Sequence, residues 1–199
     1  MKKKVIKEKK EIVSKRYIDP KIQRILDDNQ MGIRLDLACG GKKQPGFVGI
    51  DYRKEEGVDI IHDLEKFPWP LPNECATLAM ASHIVEHINP HGGVFIAFIN
   101  EVWRVLKPGG EFLIAAPYAT SQGMFRDPTH CNFINEETWC YFDPLDKWYK
   151  SLLYEIYRPL PWEIKFNTWH ENGNIEVVLV KRRIDPSYHV DQDFLNILK

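Results

Sequence analysis

The chain contains no C-x-x-C pair: its four cysteines, Cys39, Cys75, Cys131 and Cys140, are scattered over 199 residues. A chain of this size does not need covalent staples, so neither a structural zinc site nor a disulfide framework is indicated, and reduced thiols are expected. No run approaches the roughly 18 uninterrupted apolar residues of a membrane span, and the lysine-rich start lacks the apolar stretch of a secretory signal. A cytoplasmic protein without a membrane span is the expectation. No internal repeat occurs, and no low-complexity block apart from that start. Large net charge is also missing, the total being −1. The balance hides an asymmetry, because residues 1–16 hold eight basic and two acidic side chains, a net +6, which leaves −7 for residues 17–199. The basic run reads as a solvated, disordered tail, with nucleic acid a possible partner through counterion release. With 44% apolar and 12% aromatic content, residues 17–199 have the composition of one globular domain.

Asp19-Pro20 before Lys21-Ile22-Gln23-Arg24-Ile25-Leu26 reads as a capped short helix. From there apolar runs of strand length recur with turn-like boundaries: Ile33 to Leu37, Phe47 to Ile50, Val58 to Ile61, Thr77 to Ala81 and Phe112 to Ala116. Between the last two, Phe95, Phe98, Ile99, Val102, Val105 and Leu106 repeat at helical spacing until Lys107-Pro108-Gly109-Gly110 ends the helix. Near the C-terminus Trp162, Ile164 and Phe166 alternate with polar residues, and Asn172-Gly173 turns the chain into Ile175 to Val180, a hairpin pattern. Five strands of parallel type and an antiparallel pair give an α/β class: a Rossmann-like, mostly parallel seven-stranded sheet with an antiparallel C-terminal edge hairpin.

The segment from Arg34 to Asp51 carries the chemistry. An apolar strand leads into a glycine-bearing turn, then a second strand ends in a carboxylate. Gly40 and Gly41 lack a Cβ, so the turn can be sharp and a ligand can lie against the backbone, while Asp51 at a strand's carboxyl end can accept both hydroxyls of a ribose. A nicotinamide-dinucleotide site usually needs G-x-G-x-x-G and a helix N-terminus facing the pyrophosphate. The third glycine is missing here, and about nine residues separate Leu37 from Phe47, too few for a full crossover helix. With little helix dipole to hold a pyrophosphate, the phosphate-free nucleoside of S-adenosylmethionine (SAM) is the better fit.

At this point the sequence resembles the class I SAM-dependent methyltransferases, especially compact members in which the glycine turn leads almost directly to P-G-F-x-G-x-D. The likeness spans residues 33–145 and rests on five motifs in order: Leu35 to Gly41, Pro45 to Asp51, His62-Asp63-Leu64, Ala81 to Ile88, and Glu101 to Gly110. The resemblance implies that Asp36 and the turn Ala38, Cys39, Gly40 and Gly41 hold the methionine end of the cofactor. It gives Asp51 to the ribose, Asp63 with the Leu64 backbone to the adenine edge, and Ser82 and His83 to the floor beneath the sulfonium. Ala38 stands where the family commonly has glycine.

In this fold the loop after the fifth strand faces the methyl donor. Here it runs from Pro117 to Phe133, long enough to suggest function and rich in titratable groups, with Tyr118, Arg126 and Asp127 as acceptor contacts and His130 as a candidate general base. The bland alternatives are a turn-forming Asp127 before Pro128 and a packed His130. His83, His87 and His91 recur every four residues, but Pro90 interrupts any helix that would align them, and no metal is expected. The expected activity is methyl transfer from SAM to an oxygen or nitrogen of a small molecule or glycan. Two alternatives stand: a noncatalytic SAM-binding module, its partner surface built from Trp139, Tyr141, Phe142, Trp148, Tyr149, Tyr154 and Tyr157, and an NAD-dependent oxidoreductase, disfavoured by the missing glycine.

Overall fold

The computed structural model describes residues 18–145 and 157–183. The basic segment 1–16 and the aromatics Trp148, Tyr149 and Tyr154 lie outside the described residues.

Asp19 opens α1 (Pro20–Asp28): its carboxylate accepts the Lys21 amide at 2.7 Å, and Pro20 fills a first-turn position where no N–H is needed. The chain then forms β1 (Ile33–Leu37), β2 (Val48–Asp51), β3 (Ile60–Ile61), β4 (Ala76–Ser82), α2 (Val94–Val105), β5 (Leu106–Pro117), α3 (Gln122–Arg126), α4 (Glu136–Cys140), β6 (Trp162–Trp169) and β7 (Asn174–Lys181). All seven strands join one sheet in the order β3-β2-β1-β4-β5-β7-β6. Neighbours are parallel through β5, and β7 runs antiparallel to both β5 and β6. This is the architecture that the apolar runs suggested. Alternate residues of the central strands face the core: Leu35 and Leu37 on β1, Ile50 on β2, and Ala79 and Ala81 on β4 are all buried, while Arg34 of β1 is exposed.

The connection from β1 to β2 contains no helix, as its length required. Hydrogen bonds hold it in shape instead: the Cys39 amide donates to the Ile50 carbonyl at 3.2 Å, the Gln44 amide to Asp36 Oδ2 at 2.8 Å, and Arg34 Nη2 to the Gly46 carbonyl at 3.1 Å. Several boundaries differ from the sequence pattern, β3 for example being only Ile60–Ile61 against the expected Val58 to Ile61. Helix α2 stops at Val105, not beyond Leu106, because Leu106 turns extended and pairs with Ala76. Strand β5 therefore starts six residues before Phe112, and Lys107-Pro108-Gly109-Gly110 forms a bulge between the Ala76–Leu106 and Leu78–Glu111 pairs.

One buried ion pair locks α2 to the loop before β4. Glu101, fully buried, receives Arg104 Nη2 at 2.6 Å and Nε at 2.8 Å, and its Oε1 accepts the Trp69 amide at 2.6 Å. The Trp69 indole in turn donates to the Leu64 carbonyl at 3.1 Å, so this core pair fixes a residue of the β3–β4 loop. The aromatics expected to form a partner surface divide differently. Trp139 and Phe142 belong to the core, where burying the rings contributes more than exposing them, while Tyr157 is exposed.

Candidate active site

Ligands in open α/β sheets bind outside the carboxyl ends of the strands where the order reverses, which here is the β1/β4 junction. A cavity of about 170 Å³ lies there, lined by Ala38 after β1, Asp51 and Tyr52 at the end of β2, Asp63 to Glu65 after β3, and Ile84, His87 and Ile88 after β4. Four residues expected to hold the cofactor, Ala38, Asp51, Asp63 and Leu64, thus meet at one place although they are spread over 27 positions of sequence.

Asp51 is 2% exposed, and both of its oxygens are committed on one side: Oδ2 accepts the Gly40 amide at 2.9 Å and Oδ1 the Arg53 amide at 2.8 Å. These bonds aim the carboxylate and pin the glycine turn, whose Gly40 adopts a left-handed φ of 52°. Ala38 also sits at positive φ, 57°, a conformation that costs a residue with a Cβ about 1–2 kcal/mol. Asp36, expected to touch the methionine end, lines neither cavity of the site; it braces the hinge through Gln44, and burial raises its pKa. Cys39 also lines neither cavity, packing so close to Gly49 that a Cβ there would lie 2.6 Å from its sulfur. Burial first, and then the charges of Asp36, Asp51 and Asp59, push its thiol up to about 11. Gly41 is exposed beside Glu55, and Ser82 is exposed at the end of β4; neither lines either cavity.

A second, open cavity of about 900 Å³ adjoins the first, and Tyr118, Arg126, Asp127 and His130 all line it. His83 lines this cavity and not the smaller one, apart from Ala38, Asp51, Asp63 and Leu64, which it is expected to join. Its Nδ1 lies 3.2 Å from Glu86 Oε1, which raises the imidazole pKa. Tyr118 donates its hydroxyl to Glu136 Oε2 at 3.0 Å, and Asp127 accepts both the hydroxyl and the amide of Thr129, which lower its pKa. His130 Nδ1 lies 2.9 Å from the Met124 carbonyl; a carbonyl can only accept, so Nδ1 carries the proton and Nε2 presents a lone pair.

The hairpin supplies what sequence reasoning missed. Trp169, Glu171, Asn172 and Asn174 line the larger cavity because β7 returns antiparallel beside β5, with Asn174 opposite Pro117. No local signal marks them. The loop bearing His130 is stitched to the turn after β4: the Cys131 and Asn132 amides donate to the Glu86 carbonyl at 2.8 and 3.1 Å, and Asn132 Nδ2 donates to the Val85 carbonyl at 2.8 Å. His130 consequently meets His87 edge to face, ring centroids 4.6 Å apart. His87 lines the small cavity and His130 the large one, so this pair is the seam between them.

Sheet order, reversed edge pair and a cavity over the ends of β1 and β2 define the fold of the class I SAM-dependent methyltransferases. Among solved structures the chain is similar to a SAM-dependent methyltransferase from Archaeoglobus fulgidus, at 18% identity and a TM-score of 0.53, covering 80% of this chain and 91% of that one. It is similar to the [4+2]-cyclase SpnF at 16% identity and TM-score 0.51, with 80% of each chain covered. It also resembles a SAM-bound 16S rRNA (adenine(1408)-N(1))-methyltransferase from Catenulisporales acidiphilia, at 14% identity and TM-score 0.50, covering 87% of this chain and 95% of that one. No protein-family model and no curated protein matches the sequence. Among the described residues, no helix is long and apolar enough to cross a membrane.

Proposed function

We propose that the chain is a SAM-dependent methyltransferase acting on an oxygen or nitrogen of a small molecule or glycan. The observation that carries this reading is the pair of cavities meeting at the His87–His130 seam, one suited to a nucleoside and the other to an acceptor. A fold shared with a cyclase does not fix a reaction, so the reading rests on the residues of the site.

The residues fit the donor. Asp51 is buried; Oδ2 accepts the Gly40 amide and keeps a lone pair for a ribose hydroxyl, while Oδ1 accepts the Arg53 amide and, at 3.3 Å, Arg53 Nε. Asp63 and Leu64 wall the far side for the adenine. At about 170 Å³ the small cavity is below the roughly 300 Å³ of a pocket for a whole drug-sized ligand, so it takes the nucleoside end and the amino-acid end passes over the Gly40 turn. When bound, the donor supplies an electrophilic methyl: an acceptor lone pair forms the new bond to carbon while the electrons of the C–S bond pass to sulfur.

The chain's own work is alignment and proton handling, and alignment lowers the barrier more. Tyr118 and Arg126 contact the acceptor in the large cavity, and a hydroxyl acceptor gives up its proton at the seam, where His130 presents Nε2. Net −7 over residues 17–199 disfavours a polyanionic acceptor and favours a small molecule or glycan.

Calorimetric titration with SAM followed by a methyl-transfer screen over hydroxylated and aminated acceptors tests the reading. The chain is expected to bind SAM and to turn over at least one acceptor, and His130→Ala to lower kcat while keeping SAM affinity within about twofold of the wild type. SAM binding without turnover of any acceptor indicates a noncatalytic module, and thermal protection by NAD but not by SAM indicates an oxidoreductase.

A further inference from the structure

We infer that Glu86, His87 and His130 form a binding site for a divalent first-row transition cation at the seam of the two cavities, an inference that rests on the methyltransferase reading for its role but not for its existence. A carboxylate oxygen of Glu86 and one ring nitrogen from each histidine lie within 4.8 Å of one another. The sequence does not show this set. His83, His87 and His91 share a spacing, but the segment after β4 is a series of turns, and His91 belongs to a separate 3₁₀ turn, His91–Gly93. The partner of His87 comes instead from the loop after β5, brought over by the bonds of Cys131 and Asn132 to the Glu86 carbonyl.

Three further observations point to a ligand. Glu86 is fully buried, and while Oε1 meets His83, Oε2 is buried with no hydrogen-bond partner. An unpaired buried carboxylate oxygen is costly, and a cation beside it would remove that cost. Both histidines are already held in the tautomer that a metal requires. His130 donates Nδ1–H to the Met124 carbonyl at 2.9 Å. The Thr129 hydroxyl donates to Asp127 Oδ1 at 2.7 Å, so at 2.9 Å from His87 Nδ1 it can only accept; His87 therefore also keeps its lone pair on Nε2. Outer partners of this kind, a carbonyl and a carboxylate-backed hydroxyl, orient imidazole ligands in metal centres.

The donor set selects the ion class. Two imidazoles and one carboxylate suit manganese, iron, cobalt, nickel or zinc, whereas calcium and magnesium take oxygen ligands. Ligand atoms around an ion with bonds of about 2.1 Å stand about 3 to 4 Å apart, a separation that side chains already within 4.8 Å of one another reach by small shifts. Three protein ligands would leave coordination positions open beside His130, which lines the large cavity. A bound cation would make an acceptor hydroxyl beside it more acidic, the proton passing to water, and His130 would then be a ligand in place of the base role given to it above. Acceptors with two adjacent oxygens are favoured, since they fill two open positions.

Chelator-treated full-length protein titrated with CoCl₂, read by visible absorption and by calorimetry, tests the site without any activity measurement. One equivalent is expected to bind with d–d bands of an N/O site. Glu86→Gln, His87→Ala and His130→Ala are expected to weaken binding by about 100-fold or more, Thr129→Val by about 10-fold, and His91→Ala not at all. Wild-type protein that takes up no stoichiometric cobalt, with or without SAM, overturns the inference, and this arm needs no variant to fold. Binding that survives both Glu86→Gln and His130→Ala overturns it too. SAM titration of the same samples keeps the two readings apart: cobalt binding without SAM binding leaves the cation site and removes the methyltransferase.

Discussion

Asparagine at position 51 keeps the outline of Asp51 but replaces one of its two acceptor oxygens with a donor. In the native site each oxygen is already bonded to an amide, Gly40 at 2.9 Å and Arg53 at 2.8 Å, in a position only 2% exposed to solvent. The Asp51→Asn amide can therefore satisfy one of the two backbone donors and must turn its own NH₂ toward the other. A buried donor left without an acceptor costs about 1–3 kcal/mol. The same replacement removes the acceptor for one ribose hydroxyl, and a hydrogen bond to a charged group is worth about 1.5–3 kcal/mol, which is about 10- to 150-fold in Kd. Calorimetry with SAM gives the affinity, and urea unfolding of the same preparation gives the stability, so loss of binding is not confused with loss of fold. A Kd within about twofold of wild type in a folded Asp51→Asn protein would refute the assignment of Asp51 to the ribose.

Glu101→Ala leaves Arg104 and the Trp69 amide facing an empty buried space; a loss of about 3–5 kcal/mol is expected in urea unfolding, and a loss under 1 kcal/mol would show that the pair is dispensable. Cys39, with its thiol at about 11, is expected to have about 0.1% thiolate at pH 8; peptide-mapped iodoacetamide labelling should be slow there and rise about tenfold per pH unit until the pKa is reached. Fast labelling at pH 8 would place Cys39 outside the acidic pocket behind the turn. Ala38→Gly relieves a left-handed φ of 57° but adds unfolded-state entropy; the balance is a gain of about 0.5–1 kcal/mol, seen as a Tm increase of a few degrees, and a lower Tm would contradict it.

Much of the fold is written in local pattern. Strand-length apolar runs from Ile33 to Ala116, the cap at Asp19-Pro20 and the Asn172-Gly173 turn specify elements through nearest neighbours and backbone φ, and these effects act over a few residues. The short path from Leu37 to Phe47 likewise excludes a helix by length alone. Leu106 shows where this ends: its helical periodicity is outweighed by pairing with Ala76, a contact 30 positions away.

The convergence of Ala38, Asp51, Asp63 and Leu64 was legible because they follow the ends of successive parallel strands, and parallel topology puts those ends along one rim whatever the intervening sequence. Sequence by itself therefore determined the sheet and the rim residues of the small cavity. Tertiary structure alone decided the rest. It turned Asp36 into a brace, moved His83 to the large cavity, and set the hairpin residues Trp169 and Asn174 against that cavity. It also joined His130 to Glu86 and His87, more than 40 positions away, through two backbone amides on one carbonyl. The physical reason is range: periodicity and turn chemistry are local, whereas a convergence of side chains from separate loops is fixed by long-range hydrogen bonds that leave no spacing in the chain.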